Sequence, residues 1–219
     1  MIKDKNPVWW RWFPWILSLI VLSVGCYVWL RYHGRNFSPT NLYDLFPFLG
    51  ISAFSLMWTH YAVGEFRRFN PALPKNELYS RISGILVFAL ILLHPGLLVL
   101  ARYRDGAGLP PGSVYSYVGN SGRLAVTLGA IALVLFLSYD VFERLKHKSF
   151  VNKNWWVVNI LQSIAMLFIL KHSFTLGTHL QSGWFRTYWV VLGTLFLPMM
   201  LHVHWHDWKE KGWKRTTSS

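Results

Sequence analysis

The chain has 219 residues, of which 53% are hydrophobic, 17% aromatic and only 14% charged, with a formal net charge of +13. An apolar excess of this size excludes an ordinary soluble domain and predicts an integral membrane protein. The positive charge would also suit a nucleic-acid-binding protein, but the Lys and Arg residues fall between apolar runs, so membrane lipids are the expected partners and nucleic acid is not.

Six apolar runs are each long enough to cross a bilayer core of about 30 Å. They predict an all-α, integral membrane six-helix bundle that forms one transmembrane domain over residues 1–219. The first run lacks a small-residue cleavage site and is expected to remain as a helix. A glycine- and proline-rich loop is expected at 102–121 and a basic C-terminal tail at 205–219. The predicted helices lie at about 14–30, 44–63, 81–101, 122–139, 155–176 and 184–201.

The distribution of Lys and Arg predicts the orientation in the membrane. Fifteen of these residues lie in the amino terminus, the second and fourth loops and the tail, and six lie in the opposite loops. By the positive-inside rule, both termini are expected in the cytoplasm. The third and fifth helices then run outward.

Two histidines interrupt these outward-running helices. Ionisable side chains inside a membrane span are costly and mark functional sites. His94 is about 13 residues into the third predicted helix and His172 about 17 into the fifth, so both fall in the outer half. Histidine commonly ligates haem iron, and we therefore expect His94 and His172 to clamp one haem b. Pro95 predicts a kink that opens space beside His94.

Further residues near the outer ends of the same helices fit such a cofactor. His179 lies seven residues beyond His172, nearly on the same helix face, and suits a haem propionate or an external ligand. Arg102 and Arg104 follow the third helix and can pair with propionates, because guanidinium groups bind carboxylates bidentately. Arg123 and Lys171 can do the same. All four cations are equally explained as membrane-boundary residues.

The runs RISG (81–84), LLHP (92–95), 155–172 and LGTHL (176–180) resemble the ferric-reductase-like transmembrane domain superfamily, and the resemblance covers about residues 45–205. That superfamily includes the membrane parts of NADPH oxidases and ferric reductases and the haem-binding subunit of the bacterial methionine sulfoxide reductase system. The resemblance implies a six-helix haem b protein of the bacterial inner membrane that passes electrons outward. It places His94 and His172 on the outer-haem ligands.

The inner-haem positions of that superfamily do not match. The residue 13 before His172 is Asn159, and those 13 and 14 before His94 are Arg81 and Ser80. One haem is therefore expected. The missing relay leaves a gap of roughly 20 Å along the helix. A membrane quinol, a flavin at the inner face, or a second haem bound through His60 and His202 would have to bridge it.

The chain carries no glycine-rich nucleotide fingerprint, so we expect an oxidoreductase subunit without its own nucleotide-binding domain. A cytoplasmic flavin reductase or a membrane quinol would donate electrons, and a redox partner on the outer side would accept them. The basic runs Arg67-Arg68 and 144–148 suit an acidic flavoprotein. They are equally explained as topology determinants and lipid contacts.

Other functions remain open at this stage. His202 and His206 are spaced i, i+4 and can either bind a divalent metal or anchor the helix end at the interface. The intramembrane histidines also fit a transporter or channel that carries protons or metals, or a non-redox interaction subunit. The scarcity of carboxylates inside the spans and the lack of an inverted repeat argue against a transporter. The single cysteine, Cys26, excludes a cysteine-built metal or iron–sulfur site.

Overall fold

The computed structural model describes residues 7–33 and 42–216, with side chains as far as Lys209. The described chain is almost wholly helical and contains no strand, which confirms the all-α prediction. Six of its helices are long and apolar enough to span a membrane, and the last two, Trp155–Leu176 and Trp184–Thr216, are the predicted fifth and sixth spans. A short 3-10 turn covers Thr178–Leu180. The helices are α1 (Val8–His33), α2 (Leu42–Phe69), α3 (Glu77–Arg104), α4 (Gly112–Arg144), α5 (Ser149–Lys153), α6 (Trp155–Leu176) and α7 (Trp184–Thr216).

Helix α4 begins ten residues earlier than predicted, so the expected loop at 102–121 is wrong over its second half. The helix starts at Gly112 and is interrupted once, at Gly119, where φ is 65° and ψ is −175°. Glycine adopts positive φ without the steric cost that other residues meet. A single glycine therefore turns the chain and lets the helix resume. The connection that remains between α3 and α4 covers only residues 105–111.

The predicted basic tail at 205–219 is also corrected, because α7 continues to Thr216. No proline follows Pro198, and the Lys, Glu and Arg residues of this segment are good helix formers. The basic segment thus extends the last span as a helix.

The chain folds as two compact units that divide after Val114. In the first unit, α2 packs against both α1 and α3. Trp10 of α1 is buried and donates its indole N–H to the Pro74 carbonyl at 2.9 Å. It packs with Val63, Leu73 and Tyr79. This cluster fixes the α2–α3 connection against the start of α1.

Deeper in the first unit, three hydroxyl groups from three helices meet. The Ser18 hydroxyl lies 2.8 Å from that of Tyr79 and 3.1 Å from that of Thr59. The Thr59 and Tyr79 hydroxyls are 3.2 Å apart. All three residues are buried. We call this group the hydroxyl triangle; its mutual hydrogen bonds satisfy polar groups that lipid cannot.

In the second unit, α6 packs against α7 and is tied to α4. The Trp189 indole N–H donates to the Ser173 hydroxyl at 3.0 Å, and the Gln162 side chain donates to the Leu135 carbonyl of α4 at 2.8 Å. Ala132, Ala165, Met166 and Phe196 are fully buried. The two alanines, as small residues, allow close approach of the helices.

Candidate functional site: two histidine cradles

His94 is held by a backbone carbonyl of the neighbouring helix. It lies on α3, 17 residues after Glu77, where the helix begins. Its Nδ1 is 2.6 Å from the carbonyl oxygen of Phe46 on α2. Because a carbonyl oxygen only accepts, Nδ1 carries the hydrogen and donates it. In the neutral ring, the lone pair then resides on Nε2.

Gly50 provides the space for this imidazole. It follows Phe46 by four residues, which places it one turn along the same face of α2. A Cβ at this position would lie 2.8 Å from Cε1 and 3.0 Å from Nδ1 of His94, closer than real Cβ atoms approach. The ring of His94 therefore lies directly against the backbone of α2.

His172 is held in the same way in the second unit. It lies on α6, 17 residues after Trp155, the first residue of that helix. Its Nδ1 is 2.8 Å from the Ala125 carbonyl oxygen on α4. A Cβ at Gly129, four residues after Ala125, would lie 2.6 Å from Nδ1 and 2.9 Å from Cε1 of His172. Nδ1 again donates, and the imidazole again rests on glycine backbone.

We call the two arrangements histidine cradles: Phe46, Gly50 and His94 form the first, and Ala125, Gly129 and His172 the second. The carbonyl precedes its histidine by 48 residues in the first and by 47 in the second. The sequence predicted both histidines as site residues but neither glycine. The signal for them in the sequence is a glycine inside a membrane-spanning helix. Such a glycine lowers the stability of the helix and marks a close approach to its backbone. Each histidine lies 17 residues after the first residue of its helix, and for His94 this differs from the predicted 13 because α3 begins at Glu77.

The arginines proposed to pair with propionates have different surroundings. The Arg102 Nε donates to the Ser113 carbonyl at 3.2 Å, so this side chain helps to close the α3–α4 connection. Arg104 is exposed. In the second unit, the Arg123 guanidinium lies 5.8 Å from the centroid of the Tyr115 ring. Arg123, like Arg104, is exposed, whereas Arg102 is half-buried.

His179 does not occupy the position that helical spacing predicted. Helix α6 ends at Leu176, and Gly177 is extended, with φ −67° and ψ 107°. His179 therefore sits in the 3-10 turn that follows, and the face it would share with His172 on a continuous helix does not exist. It is 7% exposed, and its Nδ1 is 3.2 Å from the Thr178 hydroxyl.

Asn159, the residue at the missing relay position, belongs to a set of hydrogen bonds between α6 and α7. Its side-chain amide donates to the Asp207 carboxylate at 2.7 Å. Its carbonyl accepts from the Ser163 hydroxyl at 3.0 Å, and that hydroxyl lies 3.0 Å from Nε2 of His204. Because the serine hydrogen is already donated, His204 is the donor in the last contact. We call these four residues the α6–α7 polar network.

His60 and His202, the residues considered for a second haem, lie in separate units, and that expectation stays a prediction. The rings of His202 and His206 are 6.4 Å apart. Within the described ranges, no group of three or more His, Cys, Asp or Glu side chains can hold a metal ion. His60 lies beside the Tyr79 ring, with centroids 5.3 Å apart. Its Nε2 is buried and makes no hydrogen bond to any residue that the structure describes.

Comparisons of the chain with protein-family models, with curated proteins and with solved structures find no match. The site is therefore interpreted from its own chemistry. That chemistry consists of two imidazoles, each fixed through Nδ1 with Nε2 as the lone-pair nitrogen, on helices of membrane-spanning length.

Proposed function

We propose that this chain is a transmembrane haem b electron-transfer protein of the ferric-reductase-like kind, in which His94 and His172 would hold the haem iron. One observation carries the proposal: in both histidine cradles, a carbonyl of the adjacent helix holds Nδ1 of the imidazole. In each neutral ring, Nε2 is then the nitrogen with a lone pair, and histidine commonly supplies such a nitrogen to haem iron.

The cradle suits a metal ligand for a physical reason. Histidines that bind metals almost always donate their other ring N–H to a carbonyl, a carboxylate or water, which fixes the ring orientation and raises the basicity of the ligating nitrogen. A single hydrogen bond would also satisfy a histidine with no ligand. It would not require a glycine under the ring, and glycine inside a helix costs about 1 kcal/mol relative to alanine. Both cradles carry that glycine.

Bound haem supplies a one-electron redox couple, and histidine at both axial positions favours electron transfer over oxygen binding. The chain's own residues would hold the two imidazoles at fixed angles and keep water away from them. Arg104, which is exposed, and Arg102 are the candidates to pair with propionates. His179 is buried close to the end of α6, and its role toward the cofactor stays a prediction from the sequence.

Electrons would pass from the cytoplasmic side to an acceptor on the outer face. The excess of Lys and Arg in alternate loops supports cytoplasmic termini. The bacterial inner membrane is what the resemblance to the ferric-reductase-like superfamily implies. At the relay position, Asn159 donates to Asp207 and offers no imidazole. The donor would therefore be a membrane quinol or a cytoplasmic flavin reductase that docks on the basic loops.

The absorption spectrum of the purified, dithionite-reduced protein tests the proposal. We expect a sharp b-type α band, and its absence would overturn the redox function. Pyridine haemochrome analysis then separates one shared haem from one haem for each histidine. His94→Ala and His172→Ala should each remove the haem, whereas His147→Ala, at an exposed position outside the cradles, should leave it in place. Full haem content in either cradle variant would reject the ligand assignment.

A second candidate is a proton-conducting membrane protein, and the α6–α7 polar network is the observation that favours it. The network joins a carboxylate and an imidazole within a membrane-length helix pair, Asp207 with Asn159 and His204 with Ser163. Ionisable groups in such positions mark proton paths. Proton flux into liposomes that contain the haem-free protein would support this candidate, and its loss in Asp207→Asn would assign the path.

A further inference from the structure

We propose that Gly50 and Gly129 are positioning residues that set the orientation of the two imidazoles, and thereby the redox potential of the haem. The inference rests on the proposed function, since it concerns how the ligands are held. It follows from a geometry that both units repeat: a carbonyl, a glycine four residues later, and a histidine from the next membrane-spanning helix seated on both.

Each cradle glycine packs against the ring of its histidine. At position 50, an added Cβ would meet three ring atoms of His94 within 3.3 Å, the nearest at 2.8 Å. At position 129, it would meet Nδ1 of His172 at 2.6 Å. These atoms belong to rigid rings whose Nδ1 is already bound to a carbonyl, so a ring can yield only by turning or by lengthening that hydrogen bond. Each glycine therefore controls ring angle and hydrogen bond together.

The hydrogen bond from Nδ1 shifts the redox potential of the haem in a definite direction. Donation from Nδ1 to a carbonyl increases the electron density at Nε2, which stabilises ferric iron relative to ferrous iron. Weakening that bond removes part of the stabilisation. Alanine at position 50 or 129 should therefore raise the midpoint potential, change the g values of the low-spin ferric haem, and weaken haem retention by about 10- to 100-fold, as for other residues that orient metal ligands.

The chain offers matched controls for the steric part of the substitution. A Cβ at Gly25 of α1 would lie 2.5 Å from a methyl carbon of Ile51, a contact between two helices with no histidine. A Cβ at Gly122, on the same helix as Gly129, would lie 2.6 Å from Val118. A Cβ at Gly96 of α3 would meet nothing within 4 Å. Gly25→Ala and Gly122→Ala should lower thermal stability without moving the potential. Gly96→Ala should also leave the potential unchanged, and it should raise thermal stability slightly, because alanine favours the helix over glycine.

The experiment compares redox titrations and electron paramagnetic resonance spectra of the purified holoprotein and its variants. The inference predicts a raised potential and altered g values in Gly50→Ala and Gly129→Ala only. If the wild type binds haem but these two variants match Gly25→Ala, the positioning role is wrong while the proposed function stands. If the wild type shows no b-type α band, the proposed function itself fails.

A double-mutant cycle covers the case in which an alanine variant does not fold with haem. Thermal unfolding is measured on apoprotein from haem-deficient cells for Gly50→Ala, His94→Ala and the double variant. The loss of stability from Gly50→Ala should shrink at least several-fold once the His94 ring is removed, because the atoms that the methyl group meets are gone. An equal loss in both backgrounds would show that Gly50 does not act through His94. The same cycle applies to Gly129 and His172.

Discussion

The histidine cradles and the α6–α7 polar network both engage a histidine in the membrane-spanning helices, but through different ring nitrogens. In the cradles, Nδ1 of His94 and Nδ1 of His172 donate to backbone carbonyls. In the network, His204 donates from Nε2 to the Ser163 hydroxyl. The cradles therefore present the nitrogen that haem iron prefers, and the network uses it to join two helices. Under the proposed function, the ring nitrogen that is engaged therefore separates the two candidate ligands from His204.

The largest expected effect tests this distinction directly. His172→Ala should remove the b-type α band, whereas His204→Ala should keep the haem content of the wild type, because its Nε2 is already used within the protein. Haem content per protein, measured by pyridine haemochrome, is the readout. Loss of haem in His204→Ala at unchanged thermal stability would show that the network also holds the cofactor, and the comparison would no longer stand.

A smaller effect is expected from substituting Asn159, whose side chain makes the carboxylate contact of the α6–α7 polar network. Asn159→Ala leaves the Asp207 carboxylate without the amide that lies 2.7 Å away. Removing one partner of a hydrogen bond to a charged group costs about 1–3 kcal/mol. Thermal unfolding should show this loss, while the haem spectrum stays unchanged. Asn152→Ala, at an exposed position before α6, is the control and should have no effect on stability.

The sequence was sufficient for the fold class and for both candidate ligands. Apolar runs of membrane length predicted all six spans, because lipid leaves the backbone few alternatives to helix. The ends were less predictable: Gly119 turns within α4, and the charged residues after Trp205 continue α7. Helix starts also depend on caps such as the Asn76 side chain, which accepts from the Tyr79 N–H at 3.2 Å.

The cradles could not be predicted from the sequence in the same way. The carbonyls that hold the imidazoles belong to Phe46 and Ala125, whose side chains give no indication of a polar contact. The pairing depends on how α2 meets α3 and on how α4 meets α6, over 48 and 47 residues of sequence. The same holds for Asn159, whose partner Asp207 lies on another helix.

The hydroxyl triangle of the first unit extends the comparison to groups that carry no charge. Tyr79→Phe removes the hydroxyl that lies 2.8 Å from Ser18 and 3.2 Å from Thr59. Hydrogen bonds between membrane helices contribute about 0.6 kcal/mol on average and at most about 1.7 kcal/mol. We expect a stability loss in that range with an unchanged haem spectrum. Tyr103→Phe, whose ring is 62% exposed on the same helix, should cost nothing. A shifted α band in Tyr79→Phe would link the triangle to the cofactor.

The smallest expected effect comes from placing a histidine where the relay residue is missing. Asn159→His supplies an imidazole to α6, but Asp207 is 2.7 Å from the present side chain and would accept its N–H. In the part of the chain that the structure describes, no neighbouring helix offers this position the pair of a carbonyl oxygen and a glycine that forms a cradle. A second ligand for the haem iron would also still be needed. Haem stoichiometry should therefore stay at the wild-type value, with any loss of stability below that of Asn159→Ala. A gain of haem in Asn159→His would show that a histidine needs no cradle to bind haem in this chain, and it would remove the main argument for assigning His94 and His172.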